Sequence, residues 1–456
     1  GSDYTNRVVM SLMYQGLFAV DSKNNTTPIL CSQYQVTPDN RTWTIYLEPN
    51  ATFSDGTRVT VQDVVASYEQ ARQNVYYKGR FTHIARVELS SDGGVDFFLD
   101  TPYQNLALLL DIPIVKASEV TVDNPLGTGP YSLEDGIGGK HLQRVVNWWC
   151  SSEDLVAKDS SIALVEAESP SQIRDEFEFS GLSVVCTNPQ TDSYADYRCD
   201  FELWEVDSGF MMYIGCNVTY SKFFDDGTLR TFLTYGIDRQ TLVDDNYGGL
   251  ALPTTLPISP MSPYYSKSLA TNYDYDEMRF IDAASKFRVP TNDKGVPRTL
   301  QLLVNSDDSA RLRCARNIAA TLTELGLACE TVESPTSVYE ARLQAANYDI
   351  YLGITKLPTT ADLSEFYRPW GEMSWGGLAN ETIYNMVNQS LADRGNYYNL
   401  HKLVADDGRI IPVMAGYYAI YAKRGVLSDL NPARDNVFYY TLGKTMESSK
   451  VATQFS

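Results

Sequence analysis

Basic residues and histidine are scarce in this chain of 456 residues. It contains 3 histidines, and its 37 lysines and arginines face 57 acidic residues, which gives a net charge of −20 at pH 7. A surface of that sign repels a phosphate backbone, so we do not expect nucleic acid as a partner. The same acidity favours solubility and does not specify a ligand.

Long apolar runs are also missing. The longest candidate, Leu106 to Val115, is interrupted by Asp111 and Pro113, and it is shorter than the roughly 18 residues that suggest a membrane-spanning helix. The first two residues are Gly-Ser, which are typical of an expression scar. We therefore expect that the native chain has lost an N-terminal export or anchor segment.

Motifs of metal binding and catalysis are absent from the sequence. There is no HExxH to bind a catalytic zinc, and the 7 cysteines include no CxxC. The GxSxG, SxxK, GxxxxGK and GxGxxG patterns do not occur either. We expect no enzyme activity, no metal and no cofactor. Cys186 and Cys199 could pair, although a set of mostly buried thiols is the simpler interpretation.

Strands and helices alternate most clearly in the second half of the chain. Leu300–Val304 predicts a strand, Leu312–Leu325 a helix and Leu327–Val332 the next strand. Val338–Ala346 then predicts a short helix, and Tyr348–Gly353 a third strand. This order indicates parallel strands with right-handed crossovers.

Ligands of such sheets bind beside the carboxyl ends of the strands. The third predicted strand is followed by Ile354 to Lys356, so Lys356 is a candidate for contact with a ligand carboxylate. A surface lysine at a strand end is the alternative. His401 follows the helical pattern of its neighbours, and we expect a packed surface residue rather than a nickel ligand.

Residues 42–71 predict a strand, a turn and a capped helix. Trp43 and Ile45 alternate with polar neighbours as in a half-buried strand, and Thr60 with Asp63 forms a capping box. The amino-acid sequence of this stretch resembles a signature of the family 5 solute-binding proteins of bacterial ABC importers. The matching residues are Leu47, Pro49, Phe53, Ser54, Asp55, Gly56, Asp63, Val64 and Ser67.

Further stretches resemble the same family, in the family's order. Their matching residues are Tyr14, Gly16 and Leu17, then Gly127–Tyr131, then Leu229, Arg230 and Ile237–Arg239, then Gly353, Leu357, Asp362–Ser364 and Phe366. The resemblance extends from about Ser11 to about Val437.

This resemblance implies an α/β fold of two lobes joined by a hinge of two strands. It is the large type II class of periplasmic-binding-protein-like folds, which carries an extra subdomain. The hinge strands are expected near Tyr213–Asn217 and Tyr418–Lys423. We expect lobe 1 at residues 1–27, 126–215 and 424–456, its extra subdomain at 28–125, and lobe 2 at 216–423.

The resemblance also implies a function. Family members capture a small ligand between the lobes and deliver it to the permease subunits of an ABC importer. We expect an oligopeptide ligand, a monomer, and a lipid anchor at the extracellular face of a bacterial membrane or in the periplasm. The alternatives are another solute, such as an oligosaccharide or a metal chelate, and a ligand-sensing or regulatory module of the same fold.

Aromatic side chains, 12% of the chain, suit a cleft that closes on a ligand. Asp362 could bind a ligand ammonium, although it belongs to the family's Asp-Leu-Ser signature and not to the position where peptide-binding members carry their aspartate. The residues expected to contact the ligand are Tyr14, Gln15, Tyr131, Tyr213, Lys356, Asp362 and Trp375.

Overall fold

The chain divides into two compact units in the computed structural model. Unit 1 consists of Gly1–Asp207 and Tyr417–Ser456, and unit 2 of Ser208–Gly416. The lobe and subdomain boundaries given above remain predictions. The structure describes residues 4–151, 159–167, 169–179, 181–190, 197–427 and 430–437, and the backbone of 451–453.

Unit 1 begins with helix α1 (Tyr4–Met13). Its next elements are β1 (Phe18–Val20), β2 (Thr26–Pro28), β3 (Cys31–Val36), β4 (Thr42–Leu47), α2 (Val61–Gln73), β5 (Ile84–Leu89), β6 (Val95–Leu99), β7 (Tyr131–Gly136), β8 (Gly139–Arg144), β9 (Ser161–Glu166), α3 (Pro170–Phe179) and β10 (Val184–Thr187).

Strand β11 (Phe201–Cys216) carries the chain from unit 1 into unit 2. The elements that follow are α4 (Thr228–Phe232), α5 (Arg239–Tyr247), β12 (Leu252–Pro253), α6 (Lys267–Ala270), α7 (Glu277–Lys286), β13 (Leu300–Asn305), α8 (Ser309–Glu324), β14 (Cys329–Ser334), α9 (Thr336–Gln344), β15 (Ile350–Lys356), α10 (Ser364–Tyr367), α11 (Glu381–Ala392) and α12 (Tyr397–Asp407). Strand β16 (Ile410–Lys423) returns the chain to unit 1, where β17 (Val451–Thr453) follows.

The strand, turn and capped helix predicted for residues 42–71 are confirmed. Trp43 and Ile45 are the buried residues of β4, and Thr60 and Asp63 cap α2 reciprocally, with side-chain and backbone bonds in both directions. Helix α2 packs against β5 and β6 of a four-stranded antiparallel sheet in the order β3-β4-β6-β5. This sheet lies in the region predicted to form the extra subdomain.

The parallel sheet predicted for unit 2 is also confirmed. Strand β13 pairs in parallel with β14 on one side and with β15 on the other. Strand β11 adds to β15 in the antiparallel direction, with Phe210 opposite Lys356 and Cys216 opposite Ile350. Leu302, Val304 and Ile318 belong to the buried core between this sheet and its helices.

One expectation for unit 2 is wrong. His401 is not a surface residue, because α12 buries its ring completely. The ring of Tyr397 lies one helical turn earlier, with its centroid 5.8 Å from that of His401. Helix α12 packs against α11 and also approaches α4, so more of its surface is buried than its sequence pattern indicates.

Across the described ranges, every helix is too short or too polar to cross a lipid bilayer.

Candidate functional site

A small, partly open cavity in unit 1 brings together two of the predicted ligand contacts, Tyr14 and Gln15. Its volume is about 50 Å³. One wall is a stripe of helix α1, where Arg7, Met10 and Ser11 recur at helical spacing and lead into Tyr14. Tyr77, Asp111, Asp435 and Asn436 also line the cavity.

Gly16 allows the backbone of Asp111 to lie close to the chain at this position. A Cβ atom at this position would lie 2.7 Å from the backbone of Asp111, which is inside van der Waals contact. The side chain of Gln15 is held by Trp149, whose Nε1 donates to Oε1 at 3.1 Å. Tyr14 donates its hydroxyl to the carbonyl of Pro125 at 3.0 Å, and burial, together with Glu119, raises its pKa to about 12.

The charged groups at this cavity form one buried network. Arg80 donates to the carboxylates of both Asp111 and Asp435, the latter at 2.7 Å. The Nε atom of Arg7 lies 3.6 Å from Asp435, and its Nη2 donates to the hydroxyl of Tyr418 at 2.7 Å. The side chains of both arginines are less than 10% exposed. Charges removed from water in this way are stable only when paired.

Burial and neighbouring groups have opposite effects on the charges of this network. Burial raises the pKa of Asp111 despite the neighbouring guanidinium of Arg80. For Arg7, burial opposes the charge, but Tyr76, Tyr418 and Asp435 outweigh it and raise the pKa. The cluster is therefore a set of groups that hold their charges through one another.

The same network adjoins the ends of unit 1 where the chain enters and leaves it. Arg434 donates to the backbone carbonyl of Asp207 at 3.1 Å and to its carboxylate at 2.9 Å. Asp207 is the last residue of unit 1 on β11, and Tyr418 is the second residue of the returning segment. The cavity thus lies next to residues that hold both crossing strands.

Within unit 2, strand β11 contains an irregularity at Gly209. Its φ is +76°, a conformation that side chains with a Cβ atom rarely adopt. Ser208 Oγ accepts from the amide of Phe210 at 3.2 Å, and the carbonyl of Gly209 accepts from Leu357 at 2.8 Å. This left-handed residue is the second residue of unit 2.

Replacing Gly209 by alanine should lower the free energy of unfolding by about 1–3 kcal/mol, because a left-handed φ strains any residue other than glycine. Urea denaturation of the purified protein measures this cost. Gly138→Ala is the matched control, since Gly138 has an ordinary φ and open space around it. An unchanged urea midpoint for Gly209→Ala would remove the special role of this position.

Lys356 lies at the end of unit 2 where β11 enters. It is the last residue of β15, it is exposed, and it pairs with Phe210, two positions after Ser208, the first residue of the unit. Ile354, on the same strand, leaves 38% of its side chain exposed. The preceding Thr355 contacts the sulfur of Met373 at 3.2 Å. Its predicted contact with a ligand carboxylate stays a prediction.

Asp362 is engaged locally. One carboxylate oxygen accepts from the amide of Ser364 at 2.9 Å and from its hydroxyl at 2.6 Å, just before the short helix α10. This local Asx-turn accounts for the Asp-Leu-Ser sequence without a ligand. Its predicted contact with a ligand ammonium remains a prediction.

Trp375 and Lys356 lie toward opposite ends of the β11–β15 pair. The carbonyl of Gly376 accepts from the amide of Val218 at 2.9 Å, which places the Trp375 turn beyond Cys216, the last residue of β11. The six steps from Phe210 to Cys216 correspond to about 20 Å of strand. The Trp375 ring is half-buried. A ligand that touches both residues would have to extend along the strands.

Tyr131 and Tyr213 are packed within their units. Tyr131 donates its hydroxyl to the carbonyl of Asp159 at 3.1 Å. The ring of Tyr213 is buried between those of Tyr351 and Phe366, with centroids 5.7 and 5.0 Å away. Burial raises the pKa of both phenols. Their role toward a ligand stays a prediction.

The sequence reasoning missed the four-residue charge cluster of Arg7, Arg80, Asp111 and Asp435. One signal was present, because Asp111 is a single acid inside the apolar run from Leu106 to Val115. An acid in that position is usually buried and therefore needs a basic partner. The partner itself cannot be found by spacing, since Arg80 lies 31 residues away.

In the part of the chain that the structure describes, no three side chains of histidine, cysteine, aspartate or glutamate converge as they would around an ion.

Both the sequence and the fold are similar to those of known proteins. The sequence model of the bacterial extracellular solute-binding proteins, family 5, matches residues 25–377. The glutathione-binding protein GsiB of Escherichia coli O6:K15:H31 is 24% identical over 295 residues, which are 60% of this chain and 56% of that protein. The chain thus spans just over half the length of this curated relative.

Two solved structures share the fold across nearly the whole chain. The murein tripeptide-binding protein MppA, in an unliganded open form, gives a TM-score of 0.78 at 15% identity and covers 95% of this chain and 92% of its own. The ABC transporter substrate-binding protein CtaP of Listeria monocytogenes gives 0.75 at 17% identity and covers 98% and 96%. Because the family model matches well over half of its residues, this chain belongs to the family 5 bacterial extracellular solute-binding proteins.

Proposed function

We propose that this protein is the extracellular substrate-binding component of an ABC importer. It captures a small ligand, most often an oligopeptide, and delivers it to the permease subunits without catalysing a reaction. The observation that carries this proposal is the match of the family model over residues 25–377 in a chain whose two units are connected by two long strands.

The proposed cycle is closure of the two units on a ligand. An open form binds the solute, and the ligand stabilises the closed form because it contacts both units only when they close. Two observations support bending where β11 passes from unit 1 into unit 2. Gly209 has a positive φ, and Arg434 donates two hydrogen bonds to Asp207. The closed form is the state that the permease recognises.

A zwitterionic ligand fits the predicted contacts. Lys356 offers an exposed cation at a strand end, and Asp362 lies six positions later with the opposite charge. Each charge-assisted hydrogen bond would contribute about 1.5–3 kcal/mol once water is excluded. Backbone groups and aromatic rings would cover the middle of the ligand. The remaining proposed contacts are Tyr14, Gln15, Tyr131, Tyr213 and Trp375.

The proposed setting is the outer face of a bacterial membrane or the periplasm. The protein acts there as a monomer, tethered by a lipid anchor, with the permease as its protein partner. The net charge of −20 supports a protein that stays soluble in that setting and does not bind nucleic acid.

A thermal-shift panel tests the ligand class. Short peptides, oligosaccharides and nickel salts are each titrated against the purified protein, and the shift in melting temperature is recorded. We expect peptides to stabilise the protein, because a ligand that binds only the native state raises its stability. If an oligosaccharide or nickel alone stabilises it, the peptide class is wrong and the carrier function stands. If no solute class does so, the carrier function falls.

Trp375→Ala should weaken binding of the peptide ligand by about tenfold or more, since burying one ring against a ligand contributes on the order of 1.5–3 kcal/mol. Isothermal titration calorimetry measures the dissociation constant. Trp370→Ala is the control, because Trp370 is 98% exposed in the same loop and should leave affinity unchanged. Unaltered affinity in a folded Trp375→Ala protein would show that this ring does not contact the ligand.

A further inference from the structure

The cavity of unit 1 presents both signs of charge within a few ångströms. Asp111, Asp435 and Arg7 line it, and Arg80 donates to both carboxylates. Two guanidinium groups and two carboxylates make the cluster neutral as a whole. We propose that this cavity binds the α-amino-acid head group of the ligand, an ammonium and a carboxylate on one carbon, with the ammonium at Asp111 and the carboxylate at Arg7.

This inference rests on the proposed carrier function and adds the chemical class of the substrate. It assigns the ligand ammonium to Asp111 instead of Asp362. Its first support is the charge balance. A ligand group with a net charge would leave one buried charge without compensation, and that is costly in a site shielded from water. A zwitterionic head group brings one charge of each sign and keeps the cluster neutral. Gln15, Ser11 and Asn436 add neutral hydrogen-bonding groups around it.

The second support is size. About 50 Å³ is room for a few water-sized spheres of roughly 10–15 Å³ each. The head group has five heavy atoms and fits such a space, whereas a whole tripeptide does not. The rest of the ligand must therefore extend out of the cavity.

The third support is the state of Asp111. Its buried carboxyl has a raised pKa because burial disfavours its charge. An ammonium beside it supplies a second counter-charge and stabilises the ionised form. An apolar or purely anionic ligand group beside Asp111 would disfavour the ionised form of its carboxyl group.

The proposed site should distinguish two isomers of a glutamyl peptide ligand, one linked through the γ-carboxyl group of glutamate and one through its α-carboxyl group. A γ-linked glutamyl peptide keeps the ammonium and the carboxylate of its first residue on one carbon. In the α-linked isomer, that carboxylate is consumed by the peptide bond. The cavity should therefore prefer the γ-linked form, and the preference comes from Arg7.

The experiment uses the wild-type protein and ligands that differ in one feature. Calorimetry compares γ-Glu-Cys-Gly, its α-linked isomer, the γ-linked peptide with its α-carboxylate amidated, and free L-glutamate, with the thiols kept reduced. We expect the γ-linked peptide to bind about tenfold or more tighter than the α-linked isomer and the amide. Equal binding of glutamate and the γ-linked peptide would identify the free amino acid as the source of the head group. Tighter binding of the γ-linked peptide than of glutamate would identify the peptide as the source of the head group.

A protein variant assigns the effect to the cavity. In Arg7→Gln, amidation of the α-carboxylate should no longer weaken binding, because its partner has gone. Circular dichroism checks that the variant is folded, and the ligand series on the wild type decides the matter if it is not.

The contrary results separate the two proposals. Equal or tighter binding of the α-linked isomer would overturn the head-group site and leave the carrier function in place. Binding of sugars or nickel alone would also overturn it. Binding of no solute at all would overturn both.

Discussion

Replacing Arg80 by methionine should lower the free energy of unfolding by about 3–5 kcal/mol, because it leaves two buried carboxylates without their shared cation. Arg80 donates to Asp111 and to Asp435, and its side chain is only 9% exposed. Methionine keeps the length of the side chain and removes the charge. Urea denaturation followed by tryptophan fluorescence measures the change.

The matched control is Lys286→Met. Lys286 pairs with Asp282 on the surface of α7, where both side chains are about two-thirds exposed. Exposed pairs contribute little, so we expect a change within about 0.5 kcal/mol. If both variants lost the same small amount, the cluster around Arg80 would not be an interdependent buried network. Charge repulsion between Asp111 and Asp435 predicts, in addition, that Arg80→Met recovers part of its stability in mild acid.

Acid should destabilise the protein through His401, and His401→Leu should remove that part of the loss. The ring is fully buried, and burial lowers the pKa of His401 to about 4. Neither of its nitrogens has a hydrogen-bond partner among the described residues. The unfolded chain takes up the proton near pH 6.5, which the folded chain resists until about pH 4.

The direction and the size of the pH effect on stability follow from the difference between the pKa values of His401 in the folded and the unfolded chain. The contribution of neutral His401 to the free energy of unfolding is complete above about pH 6.5. It falls as the pH drops toward 4, by about 3 kcal/mol in total. Urea midpoints for the wild type and His401→Leu, measured from pH 7 to pH 4, should therefore converge or cross as the wild type loses stability. His141→Leu, at a half-buried position on β8, should retain the wild-type dependence. Parallel pH profiles for the wild type and His401→Leu would mean that His401 does not resist protonation.

The elements predicted from local patterns were the reliable ones. The order β13-α8-β14-α9-β15 depends on periodicity within short stretches, and the sequence contains that periodicity directly. The capping box of Thr60 and Asp63 is equally local. Boundaries shifted where a turn intervened. Strand β14 begins at Cys329 and not at Leu327, because Gly326 adopts a φ of +99° and the chain turns first.

The candidate site depends on contacts between distant segments, and these left little trace in the sequence. Arg7 and Tyr418 are 411 positions apart, and Arg80 and Asp435 are 355 apart. The family resemblance included Tyr14, and Gln15 was also expected to contact the ligand; both residues line the cavity of unit 1. It could not show that Arg7 lies on the same wall, because that follows from the direction in which α1 packs.

Strand register decided the relation between Lys356 and Trp375. Both were expected to contact the ligand. The antiparallel pairing of β11 with β15 instead places Lys356 opposite Phe210, while the Trp375 turn is held beyond Cys216. Pairing register depends on the whole sheet and cannot be read from one strand.

Small-angle X-ray scattering, with and without saturating ligand, tests most directly whether this protein captures a solute by closure of its two units. The ligand is the peptide that gives the largest thermal shift, and saturation is confirmed by calorimetry under the same conditions. We predict a smaller radius of gyration in the bound form, because the ligand holds both units together. An unchanged radius at full saturation would contradict the account.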